Sequence, residues 1–172
     1  MSREPARSGH PGRLPELLEL LAMAPDPADR ADMLLSLADR FREVPPDVAR
    51  RPFERLHQVP SCESEAYVWG VLGPEGRLVL HFAVENPSGV SARALATILH
   101  EGLSGLTAVE IATVSPDLVL EVFRRDISMG KGLGLMSMVR AVQVTAKQAA
   151  EAAARDDSAA GVFPRQLRIA AP

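Results

Sequence analysis

The stretch Ala66–Glu85, AYVWGVLGPEGRLVLHFAVE, holds two apolar runs separated by Gly-Pro-Glu-Gly. The first, Ala66 to Leu72, contains Tyr67, Val68 and Trp69, residue types that suit a pleated, half-buried surface. The second alternates with a period of two. Leu78, Leu80, Phe82 and Val84 fall on one side, and Arg77, Val79, His81 and Ala83 on the other. The intervening Gly73-Pro74-Glu75-Gly76 has the chemistry of a tight reversal. This pattern predicts an antiparallel β-hairpin with one face buried, and the rest of the chain must supply what buries it.

Upstream, the leucines of LPELLELLAMA stand at 14, 17, 18 and 21, which is helical spacing, and Pro25 ends the run. A second helix follows. Asp26 is its expected N-cap and Pro27 its first residue, where no N–H is needed. Met33, Leu34, Leu37 and Phe41 share a face, and Pro45-Pro46 is the expected stop. Asp47 to Gln58 reads as a polar connection with a short helical turn near Val48 to Arg51.

Downstream, the helical signal returns from Ala92 to Glu101, with Ser91 as expected cap. Thr107 and Glu110 form a capping-box pair ahead of the next helix, and Ser115-Pro116 opens another. A last, long helix is expected from about Leu133. A hairpin between a helix pair and a helix series predicts an α+β fold, a small antiparallel sheet covered on one face by helices. The expected organisation is a flexible arm over residues 1–13, one domain over 14–155, and a tail over 156–172.

Bulk properties exclude several function classes. The chain has 172 residues, 47% hydrophobic and 24% charged, with a formal net charge of -3. That length can bury a core without staples. The charge lacks the basic excess of a nucleic-acid binder, and 4% aromatics leaves little for base stacking. No apolar run reaches the length of a membrane span, and the N-terminal residues lack the apolar core of a signal peptide. The expected location is the cytoplasm, with no membrane or nucleic-acid partner.

Cys62, in VPSCESEAYVW, is the only cysteine, so no internal disulfide and no cysteine-rich metal site is available. Pro60 and Ser61 interrupt regular structure before it, which puts the thiol on a turn. A buried cysteine acts as a small hydrophobe; an exposed one is useful as a thiolate. Glu63 and Glu65 beside it disfavour the thiolate, so a reactive Cys62 needs a compensating cation, with Lys131, His57 and His81 as candidates. The four histidines show no metal-ligand spacing, and GKGLGL at 130–135 lacks the spacing of a phosphate loop. No cofactor or metal site is therefore expected. The glycines of that stretch instead suit a tight lead into the last helix near Cys62.

Several motifs together resemble the SufE family of sulfur-acceptor proteins. Its signature, close to V-x-G-C-x-S-x-x-W before an apolar strand, is matched by Val59, Cys62 and Ser64, with Tyr67 where tryptophan is usual. DRADMLLSLADRFREVPPDV, SGLTAVEI and ISMGKGLGLMSMV resemble further family segments in the same order, with Gly134, Leu135, Met138 and Val139 in register. The likeness spans about Leu14 to Val142. Ser61 replaces the family glycine and Lys131 the family arginine, which keeps charge but loses the bidentate fork.

The resemblance implies a SufE/NifU-like fold in which Cys62 accepts the outer sulfur of a persulfide on a pyridoxal-phosphate cysteine desulfurase. The sulfur would then pass to an iron–sulfur assembly scaffold. Ser61, Ser64, Tyr67, Lys131 and Gly134 are implied as supporting or partner-contacting residues, and Val59, Tyr67 and Leu135 as a wall sheltering the persulfide. Cluster-building scaffolds share this fold class, but they hold clusters with several thiolates, and one cysteine does not suffice. Two alternatives stand beside the carrier: a SufE-like adaptor that binds a desulfurase without using its cysteine, and a self-contained cysteine hydrolase with His57 or His81 as base.

Overall fold

The computed structural model describes residues 9–159. Among the described residues six α-helices and three strands follow in order: α1 (Leu14–Ala22), α2 (Pro27–Asp39), β1 (Ala66–Leu72), β2 (Arg77–Val84), α3 (Val90–Leu103), β3 (Leu106–Thr107), α4 (Ala108–Ile111), α5 (Leu118–Phe123) and α6 (Met129–Ala159). The sheet order is β1-β2-β3, antiparallel throughout. The hairpin forms as expected, and its register sets Trp69 opposite His81 and Gly70 opposite Leu80. Its turn closes through a bond from the Gly73 N–H to the Arg77 carbonyl at 2.7 Å.

One face of the sheet carries Ala66, Val68, Leu78, Leu80, Phe82 and Val84, all buried in the main core with residues of α3 and α6. Alternation along β2 dictates this: every second side chain is apolar, and the helices remove that side from water. The opposite face differs from expectation. Trp69 and Ala83 are buried there too, with Val44, and the partly buried Val48, Ala49, Phe53 and Tyr67 pack against them. The connection read as polar folds across this face. Phe53 packs edge-on to Trp69 at 5.0 Å between ring centroids, and Tyr67 stacks on Trp69 at 5.9 Å. Arg51 lies over the Phe53 ring and pairs with Glu43 and Glu85. Four apolar residues scattered among charges make a second small core that no period reveals.

The caps behave largely as their chemistry requires. Asp26 accepts the Asp29 N–H at 3.0 Å, and Thr107 with Glu110 forms the reciprocal capping box. Ser115 accepts the Asp117 N–H at 3.2 Å in the turn before α5. Elsewhere boundaries shift. α2 ends at Asp39, before the proline pair; α3 begins at Val90 with Gly89 preceding it, so Ser91 lies within the first turn; α6 starts at Met129 rather than near Leu133 and runs to Ala159.

Residues 9–13, the end of the expected arm, are seated on the helices. His10 meets Glu121 at 2.7 Å, and the Arg13 N–H bonds the Gly102 carbonyl at 3.0 Å. Gly12 has φ 65° and lies so close to the Gly102 carbonyl that a Cβ would stand 2.4 Å from it. The rest of the arm, 1–8, and 160–172 of the expected tail lie outside the described residues.

Candidate functional site

Cys62 lies in the loop between a short 3-10 turn, Arg55–His57, and β1. The loop is held by its main chain. The Val59 N–H bonds the Ala66 carbonyl at 2.8 Å, and the Glu65 N–H returns to the Cys62 carbonyl at 3.1 Å. The Glu85 and Asn86 N–H groups bond the Glu65 and Ser64 carbonyls, and the Asn86 side chain reaches the Glu63 carbonyl. Two residues of the loop sit in the left-handed region, Ser61 at φ 56° and Glu65 at φ 48°. Ser61 occupies a backbone state that favours glycine, which is the residue type the family resemblance puts there.

The thiol is free and half-buried. On one side it packs against the main core, to which Val59 and Leu135 belong. On the other it borders a shallow open hollow lined by Arg55, Gln58, Val59, Pro60, Ser61 and Glu63. Cys62 is thus backed by apolar side chains and open to the outside.

The expected supporting residues divide. Gly134 is buried in α6 directly against the loop; a Cβ there would stand 3.3 Å from the Ser61 carbonyl and 3.5 Å from the Cys62 Cα. A larger residue at 134 would push the cysteine loop outward. Lys131 is exposed on the first turn of α6, one turn before Gly134 on the same side. Ser64 contributes its carbonyl, and its Cβ lies by Gly89, where a glycine Cβ would come within 3.2 Å. Tyr67 does not join the wall around the thiol. It belongs to the aromatic cluster on the opposite sheet face, because successive strand residues point to opposite sides.

Of the expected cations, neither histidine borders the hollow. His57 packs on Trp69 at 5.4 Å, and His81 pairs across the hairpin with Trp69. The cation that lines the hollow is Arg55. No motif marks it. It arrives because Gln58 bridges Tyr67 and folds the preceding turn beside the cysteine loop.

The SufE family profile, described as an Fe-S metabolism associated domain, matches residues 15–146. The chain is 24% identical over 163 residues to "SufE-like protein 1, chloroplastic/mitochondrial" of Arabidopsis thaliana; the match covers 94% of this chain and 42% of that protein. Among solved structures, the solution structure of a hypothetical protein from Thermus thermophilus superposes with a TM-score of 0.65 at 24% identity, covering 83% of this chain and 98% of the other. At that identity the likeness concerns the fold alone. Among the described residues no helix is long and apolar enough to cross a membrane. With the profile spanning most of the domain and the cysteine loop braced by α6, the chain belongs to the SufE family of Fe–S metabolism domains.

Proposed function

We propose that this protein accepts sulfur on Cys62 from a persulfide carried by a pyridoxal-phosphate cysteine desulfurase, stimulates that enzyme by removing its product, and passes the sulfur to an iron–sulfur assembly scaffold. In the first step the Cys62 thiolate attacks the outer sulfur of the donor persulfide. The donor's S–S bond breaks, its thiolate leaves, and a new S–S bond forms on Cys62. One thiolate enters and one departs, so no outside oxidant or reductant is needed. A reducing compartment such as the cytoplasm suits a working thiol of this kind.

The observation that carries the reading is the two-sided setting of Cys62, packed on the core behind and open to the hollow in front. A carrier needs both, a path for the donor sulfur and an apolar backing for the loaded one. Arg55 at the rim places a cation along the path by which an anionic donor persulfide would approach. A stand-alone hydrolase draws less support, since the hollow has no histidine lining it.

Incubation with a cysteine desulfurase and cysteine, followed by intact-mass measurement, tests this. The wild-type chain is expected to gain one sulfur atom that a thiol reductant removes, and Cys62→Ala is expected to gain none and to lose desulfurase stimulation. Binding to the desulfurase with no sulfur gained would reduce the protein to an adaptor. Ester or amide turnover without any desulfurase would make it a hydrolase.

A further inference from the structure

A groove of about 560 Å³ runs between α6 and the Leu56–Pro60 segment, and it shares Gln58 and Pro60 with the hollow beside Cys62. Its apolar lining includes Leu56, 80% exposed, Val144, 51% exposed, and Ala141. Apolar side chains this open, gathered next to a reactive loop, gain stability when covered.

The groove also reaches the outer edge of the sheet. On that edge the Ala66 carbonyl accepts the Val59 N–H, and Gln58 bridges Tyr67. Main-chain groups alternate sides along a strand, so Gly70, half-buried and lining the groove, turns its own to the same edge beyond the bridge, whereas Val68 is buried beside it. Among the described residues no strand continues along β1 beyond that bridge. An open edge of this kind pairs with an extended segment of another chain.

Charge selects the segment. Arg140 lines the groove and Arg55 the adjoining hollow; both are exposed, and neither forms an ion pair among the described residues. Glu63 is the sole acid lining either cavity. The chain's own residues 160–172 include Arg165 and Arg168 and no acid, so they bring like charge to Arg140.

We propose that this groove docks an extended segment of the sulfur-donor enzyme in which apolar and acidic residues alternate, its main chain along the β1 edge and its acids facing Arg140 and Arg55. The inference rests on the sulfur-acceptor reading and names how the donor is held while its persulfide meets Cys62.

The test titrates the full chain, Arg140→Glu and Val144→Asp with a cysteine desulfurase, and separately loads Cys62 from inorganic polysulfide, which needs no docking. Both positions are exposed, so neither substitution buries a charge. Each variant is expected to raise the Kd about tenfold or more. Salt is expected to weaken wild-type binding more than that of Arg140→Glu. Polysulfide loading is expected to match the wild type. Unchanged Kd in both variants overturns the groove assignment while sulfur transfer to wild-type Cys62 leaves the carrier reading standing. A parallel fall in polysulfide loading traces the defect to the cysteine loop and also overturns it. Loss of self-association with unchanged desulfurase affinity gives the groove to a second copy of this chain. No sulfur passed to the wild-type chain removes the carrier reading, and the groove assignment with it.

Discussion

Ser61 bears the cost of the cysteine loop. An L-residue side chain at φ 56° crowds its own carbonyl, and glycine relieves that without losing a hydrogen bond, since the Ser61 side chain makes none among the described residues. Ser61→Gly is expected to raise stability by about 0.5–1 kcal/mol in chemical denaturation, the strain relief outweighing the added freedom of the unfolded chain. A lower midpoint would mean that the serine stabilises the loop in a way its backbone geometry does not reveal. Gly134 acts from the other side: its missing Cβ lets α6 press directly on the main chain of Ser61 and Cys62.

Among the elements, the helix ends depend on one buried charge. Arg30, in α2, is 3% exposed and donates to the carbonyls of Leu21, Glu121 and Val122 at 2.6–2.7 Å. It satisfies carbonyls near the C-terminal ends of both α1 and α5, groups that a helix leaves without partners. Burial pulls its pKa down from the ordinary value, with Arg124 adding to the effect and Asp126 opposing it. Arg30→Met keeps much of the volume but strands those carbonyls. It is expected to cost about 3 kcal/mol, read from denaturant unfolding. Arg30→Lys recovers little, because an ammonium lacks the planar fork that reaches two helix ends together. A loss below about 1 kcal/mol in the Met variant would show that water replaces the guanidinium cheaply.

At the scale of the whole molecule, His81 couples stability to pH. Burial holds its pKa below 6.5, with His100 adding to that and Asp47 opposing it. The unfolded chain therefore takes up this proton more readily than the folded one. Stability is complete above 6.5 and falls as pH drops toward the lower folded value. The thermal midpoint is expected to fall between about pH 7.5 and about pH 5.5, and His81→Gln is expected to lessen that fall. An identical pH profile in the variant would move the effect to other groups.

How much was legible follows from range. The hairpin, the N-caps at Asp26 and Thr107 and the inward face of β2 were readable in advance, because periodicity and capping act between residues a few positions apart. The cysteine turn and its family likeness were readable for the same reason. The cover on the second sheet face was not, since Val44, Val48, Ala49 and Phe53 sit among charges without a period. Nor was the company of the thiol. Arg55 beside Cys62, Gly134 against its main chain, and Tyr67 turned to the opposite face are set by how distant segments close on one another. The chain by itself determined the hairpin, the main helices and that one thiol stands on a turn, but not the short third strand or the turn at Arg55–His57. Only packing across the molecule decided what surrounds that thiol, because side chains from separate elements become neighbours only when the core they share excludes water.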